Sequence, residues 1–313
     1  MPERAAGRVY HLVNRKKVNQ RQRSKLQTLR LKNYPVWFLL PLGLIFVGLY
    51  LLPTVTSLYY STQRWTLFDT TFVGLDNFIL FFQDPMLLNG VVNTFTYAFL
   101  TSGLKVVFGM MLGVLLMSNI KFRGLIRNII FFPVLVSTIG IGITFQVLMK
   151  PDVGALDGIV RLLGGPEVGI LGSPATAIFG VILVDVWKGV GLATVIYLAG
   201  MASIPQEYYE AAKVDGVTGW QNFRHIVLPL LQPATNTVII LSLIGGLRSF
   251  DLIWAMTGGG PGFASDVLAS LVYKQYQSGF FGLSTAGNVA MFILILLLIV
   301  PLNKFLKSRE VEI

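Results

Sequence analysis

Six apolar stretches, each long enough to cross a membrane as a helix, constrain this chain more than anything else in it. They cover 36–58, 91–117, 125–149, 175–199, 234–256 and 280–302. A hydrocarbon core of about 30 Å needs about 20 helical residues at about 1.5 Å each, and every stretch meets that length. The fifth is interrupted by Arg248 and Asp251. Apolar residues make up 54% of the 313 residues, mean hydropathy is +0.67, and only 13% carry charge. That is too little charge to solvate a soluble domain of this size, so the expected fold class is an all-α polytopic membrane protein with six transmembrane helices.

The basic residues orient those helices. Residues 1–35 form a basic arm with ten Lys and Arg and no apolar core of the signal-peptide kind. Three more lie in the 118–128 loop, two in the 200–233 loop and three in the tail 303–313. The opposite side holds four, Arg64, Lys150, Arg161 and Lys274, beside the acids Asp69, Asp76, Asp84, Asp152, Asp157, Glu167 and Asp266. The positive-inside rule then predicts both termini in the cytoplasm and a transmembrane region over 36–302. The arm has no interleaved aromatic platforms and adjoins a span, so it reads as a contact for anionic lipid rather than nucleic acid. Cysteine is absent, which excludes disulfides and thiolate metal sites.

The 200–233 loop is polar and helix-forming. Ser203 stands three residues before Gln206 as a capping pair, Pro205 suits a first turn, and 206–214 are mostly good helix formers. Gly216 is placed to end this helix in a left-handed cap. Thr218 and Gln221 repeat the capping signal before Trp220, Phe223, Ile226 and Val227. Glu207 and Glu210 are one turn apart, and Ala211 and Ala212 keep the backbone close to whatever lies against it. A lipid-lying hairpin would be rich in Lys and Arg on its polar face; an acidic first turn points to a protein partner instead.

The sequence Glu210-Ala-Ala-x-x-x-Gly216, followed by Pro229-Leu-Leu-Gln-Pro233, resembles the cytoplasmic loop signature of permease subunits of binding-protein-dependent ATP-binding-cassette importers. Phe250-Asp251 with Met256-Thr-Gly-Gly-Gly-Pro261 is similar to the carbohydrate branch, the maltose and glycerol-phosphate permeases. The resemblance covers roughly residues 35–310. It implies a type I importer permease fold in a bacterial inner membrane, a second homologous permease, two copies of an ATPase subunit, and an extracytoplasmic solute-binding protein. Coupling to the ATPase would fall to Glu207, Glu210, Ala211, Ala212, Asp215 and Gly216. Pro229 and Pro233, at the entry to the fifth stretch, read either as a pivot for the loop or as simple helix termination. The chain has no G-x-x-x-x-G-K-[ST] phosphate loop. ATP and Mg are therefore expected on the partner subunits, with no catalytic residue, metal or cofactor on this chain.

Charged groups at membrane depth mark functional positions by default. Asp185 with Lys188, and Arg248 with Asp251, are spaced i,i+3 and could share a helical face; Lys105, midway along the second stretch, could pair with Asp185 or Asp251. In the maltose-type permease the sugar-contacting positions correspond here to Lys188, Gly189 and Leu192 and to Ser242, Gly246 and Ser249. Gly246 and Ser249 stand where that permease has amides, and Leu192 where it has an aromatic, which implies a widened, glycine-lined space. Lys188 and Arg248 suit an anionic cargo, an alginate-like uronate oligosaccharide or a glycerol phosphate, as against a neutral oligosaccharide. An ion-coupled carrier using Asp185 or Asp251 would be expected to show repeated halves, and no repeat is evident. Gly103, Gly109 and Gly113 share the second stretch, the last two forming a small-x-x-x-small packing step. Beyond the fifth stretch, 257–261 is a glycine-rich turn, and 263–276 could form a short re-entrant or interfacial element.

Overall fold

The computed structural model describes residues 36–118, 120–151, 153–163 and 169–310. The basic arm, Asp152 and Glu167 lie outside them. Of the described residues, those up to Thr56 form one unit and those from Ser57 another.

The first apolar helix, α1, runs Trp37–Tyr60. It widens into a π-helical turn at Val47–Leu51, where Leu52 N–H donates to Val47 O. Pro53 follows directly, and its missing N–H cannot serve the carbonyl one α-turn back. A two-stranded antiparallel hairpin, β1 (Gln63–Trp65) and β2 (Thr70–Phe72), then pairs Gln63 with Phe72. Helix α2 (Asp76–Gln83) locks it through Asn77, which donates to Ser61 O at 2.9 Å and Gln63 O at 2.8 Å.

Helix α3 (Pro85–Met117) begins six residues before the apolar stretch does. Asp84 caps it by accepting from Met86 N–H at 2.8 Å, and Pro85 occupies the first turn. The third apolar stretch, expected as one span, is instead two helices, α4 (Arg123–Leu135) and α5 (Thr138–Leu148), meeting at 97°. Val136 and Ser137 between them are extended. Helix α6 (Ala155–Leu162) is short, and α7 (Ala177–Ala202) is the most deeply buried long helix of the fold. A Cβ on Gly109 would stand 2.6 Å from Ala193 Cβ, and one on Gly113 3.0 Å from Tyr197 Cβ, so the small-residue step on α3 is where α7 packs closely.

The 200–233 loop forms α8 (Gln206–Val214) and α9 (Gly219–Leu230); α9 meets α10 (Gln232–Leu247) at 65°. The fifth stretch does not continue to 256. Helix α10 stops at Leu247, Arg248–Phe250 are non-helical, and α11 (Asp251–Thr257) starts afresh. Gly245-Gly246 just before the break lowers helix propensity by about 1 kcal/mol per glycine relative to alanine. Helix α12 (Leu268–Gln277) and α13 (Phe281–Lys307) complete the chain. Among the described residues four helices, α1, α3, α7 and α13, are long and apolar enough to cross a membrane, rising to six if each bent pair counts as one span.

The segment before α12 is pinned to α3 by buried polar groups. Asn93 Nδ2 donates to Ala264 O and Asp266 O at 2.9 Å, and Leu268 N–H donates to Thr94 Oγ1 at 2.8 Å. Asp266 is buried with both oxygens used, accepting from Ser270 Oγ at 2.7 Å and pairing with Lys274 at 2.6 Å. Every buried acceptor of that carboxylate is thus served.

Candidate functional site

Three helices bring the charged groups together. On α3, Tyr97, Thr101 and Lys105 recur every four residues and all are buried, forming a polar stripe through an apolar helix. Lys105 Nζ pairs with Asp185 Oδ2 of α7 at 2.7 Å, with side-chain exposures of 11% and 21%. Of the two partners open to Lys105, Asp185 is the one it meets.

This corrects the expected pairing of Asp185 with Lys188. The carboxylate turns across to α3, where it neutralises a largely buried cation, and half-buried Lys188 forms no ion pair among the described residues. Gly189 has a structural reason to be glycine: a Cβ there would lie 2.5 Å from Lys105 Cε and 2.9 Å from Nζ. The lysine crosses the face of α7 at that glycine. The Tyr97 hydroxyl, fully buried, sits beside both Asp185 and Ser249 without an aligned hydrogen bond to either. Sequence reasoning missed Tyr97, although the four-residue spacing to Thr101 and Lys105 could have revealed it.

On α10, Ser242 is half-buried. Gly246 is buried, and a Cβ on it would stand 2.7 Å from Ala98 Cα and 3.1 Å from Thr101 Oγ1. Its missing side chain is therefore filled by α3, and the expected widened space at Gly246 is not there. Ser249 is half-buried in the helix break, and Leu192 is exposed on α7. Arg248 and Asp251 form no ion pair with each other among the described residues, because the break removes the common helical face that i,i+3 spacing assumes. Arg248 sits at the C-terminal cap of α10 and Asp251 in the first turn of α11, each at the helix end its charge favours.

In the 200–233 loop, Ser203 does not cap α8. Its hydroxyl donates to Ala199 O at 2.9 Å, closing α7, and Pro205 holds the N-cap position. The far end follows the sequence: Gly216 has φ +66°, Val217 N–H donates to Ala212 O at 3.0 Å, and Gly216 N–H donates to Lys213 O at 3.2 Å. Those two bonds are a Schellman cap. Thr218 and Gln221 form a reciprocal capping box. Ile204, Tyr209, Phe223 and Val227 anchor the loop to the apolar cluster built on Tyr197, Met201 and Leu231. Burial pushes the Tyr209 phenol above its ordinary pKa. Ala212 is buried, whereas Glu207, Glu210, Ala211, Asp215 and Gly216 are exposed. One oxygen of Glu210 accepts from Gln206 Nε2 at 2.9 Å.

A helical membrane bundle with a polar interior and a rigid acidic loop at one end defines a multi-pass permease. Residues 105–309 match the family described as binding-protein-dependent transport system inner membrane component, and the chain belongs to that family. It is 33% identical over 260 residues to the trehalose/maltose transport system permease protein MalF of Thermococcus litoralis, covering 82% of this chain and 88% of that one. It is 30% identical over 279 residues to the arabinooligosaccharides transport system permease protein AraP of Bacillus subtilis, covering 87% of each. In fold it is similar to a bacterial ABC transporter involved in the import of the acidic polysaccharide alginate, with a TM-score of 0.78 at 21% identity over 94% of this chain and 99% of that one. The chain is a multi-pass inner-membrane permease component of a binding-protein-dependent transport system.

Proposed function

We propose that this chain lines one side of the path for an oligosaccharide bearing carboxylates, which a soluble binding protein delivers. It works with a second homologous permease and two copies of an ATPase subunit, which seat α8 and its counterpart. The resemblance to the carbohydrate branch and the sugars named for the relatives support a saccharide cargo. The observation that carries the acidic reading is the Lys105–Asp185 ion pair. It consumes the carboxylate that would otherwise neutralise Lys188, leaving Lys188 half-buried without a carboxylate and Arg248 exposed beside Ser249. A cation at membrane depth is stabilised by a water-filled interior and by an anionic cargo that passes through it. The position of Arg248 at a helix C-terminus favours the competing reading, a neutral oligosaccharide, since the helix dipole already accounts for its charge.

Lys188→Met separates the two. With proteoliposomes and the binding protein, uptake of tetragalacturonate relative to maltotetraose should fall by about tenfold or more, the size of one lost charge-assisted hydrogen bond. Equal loss for both sugars, or loss of the assembled complex, would assign Lys188 to structure.

The proposed orientation places both termini and the 200–233 loop in the cytoplasm. Because the chain is free of cysteine, single cysteines report on it directly. Lys121→Cys and Lys307→Cys should resist a membrane-impermeant maleimide in intact cells, and Asp76→Cys should react. Labelling of Lys307→Cys from outside would reverse the orientation.

A further inference from the structure

A cavity of about 260 Å³ lies between the start of α11, α12 and α13, lined by Phe250, Tyr273, Tyr276, Ser284 and Asn288. Its wall is aromatic, and the rings pack on one another. Phe250 stacks on Trp254 at a centroid distance of 5.6 Å, and Tyr273 meets both edge-on, at 5.2 Å to Phe250 and 4.9 Å to Trp254. Ser284 Oγ donates to Val272 O at 2.8 Å and ties α12 to α13 across the floor. Tyr273, Tyr276 and Asn288 are exposed, and neither phenol nor the Asn288 amide hydrogen-bonds to protein among the described residues.

A fixed aromatic face with unused amide and phenol groups around it fits a ligand that is apolar on one side and hydroxylated at its rim. A pyranose ring has that chemistry: its axial C–H bonds stack on the ring face while its hydroxyls reach the amide and phenols. The volume lies just below the range of about 300–1,000 Å³ typical of pockets for drug-sized ligands, so the cavity suits one sugar ring and not a whole oligosaccharide. Phe250 follows Ser249 directly in sequence, so the cavity and the polar cluster both draw on the helix break. A membrane-facing aromatic belt would not gather an amide and a buried serine at the same spot.

We propose that this groove is a sugar-stacking subsite for a ring of the cargo outside the Ser249 position, so that the path accommodates at least two linked rings. The proposal rests on the saccharide path inferred above and adds the platform that grips the trailing ring.

Asn288→Cys tests it in the cysteine-free chain, in the intact complex with its partner permease and ATPase in nanodiscs. Asn288 is exposed and without a partner among the described residues, so the change leaves the packing alone while it removes one rim group and keeps the aromatic wall; Tyr276→Cys, which keeps the amide, serves as a second variant. The rate of labelling by an impermeant maleimide is measured with maltotetraose, cellotetraose or tetragalacturonate at millimolar concentration. At least one tetrasaccharide should slow labelling several-fold, and Tyr273→Ala in the same chain should abolish that protection. Labelling unchanged by all three, a cysteine that does not react at all, or protection that survives Tyr273→Ala would overturn the subsite. The same measurement on Ser249→Cys separates the two inferences. Protection at 249 without protection at 288 removes the platform and keeps the path, whereas no protection at either removes both.

Discussion

Lys105→Met should strip most of the assembled complex from the membrane, and adding Asp185→Asn should restore it. The single change leaves the Asp185 carboxylate without its cation in a site only 21% exposed. Breaking a buried pair from one side costs about 3–5 kcal/mol, and the partial access of Asp185 puts the cost here on the order of 3 kcal/mol. That is a large part of the margin by which a typical domain is stable. Asp185→Asn removes the orphaned charge and keeps the side chain's shape, so the double variant should recover complex yield and melting temperature. The Tyr97 hydroxyl beside it offers the new amide a partner. If the double variant assembles but no longer transports any sugar, Lys105 touches the cargo as well as Asp185. If Lys105→Met alone assembles normally, the ion pair has no structural weight, and Asp185 does not leave Lys188 free for cargo.

The existence of the helices was legible in the sequence and their direction was not. Hydropathy over 91–117, 175–199 and 280–302 found α3, α7 and α13 because burial in lipid needs only apolarity sustained over the required length. The 97° bend at Val136–Ser137 is invisible to that measure, since a turn between two apolar helices changes direction without changing composition. Local polar signals fared according to how local their partners are. Thr218 with Gln221 and the cap at Gly216 were readable because each is completed within a few residues. Asp84-Pro85 carried the same kind of signal for the start of α3, but it lies outside the apolar stretch. Lys105 could be flagged as a buried cation, yet choosing Asp185 over Asp251 needs a distance between helices. The same limit explains Gly189 and Gly246. Gly189 reads from sequence as a cargo contact and Gly246 as part of a widened space, and in the fold both positions are filled, Gly189 by the Lys105 side chain and Gly246 by the α3 backbone.

Glu210→Ala should leave the complex assembled and abolish its work. Glu210 is exposed on α8, and among the described residues its side chain is tied by the one-turn hydrogen bond from Gln206, a contact worth a few tenths of a kcal/mol in a helix. The anchors of the loop, Ile204, Tyr209, Phe223 and Val227, are untouched by the change. Folding and membrane insertion should therefore match the unmodified protein. On the proposed docking, the carboxylate makes a charge-assisted contact with a basic residue of an ATPase subunit, and its loss should lower uptake and sugar-stimulated ATP hydrolysis together by at least about tenfold. Two controls decide what the carboxylate does. Gln206→Ala removes the intrahelical bond and keeps the charge, so it should transport normally if docking is the role of Glu210. Glu210→Gln keeps the length and the bond from Gln206 but removes the charge, so it should fail as Glu210→Ala does. Normal uptake by Glu210→Gln would transfer the coupling role from the charge to the shape of α8, where buried Ala212 and the left-handed Gly216 fix the angle at which the loop leaves the helix.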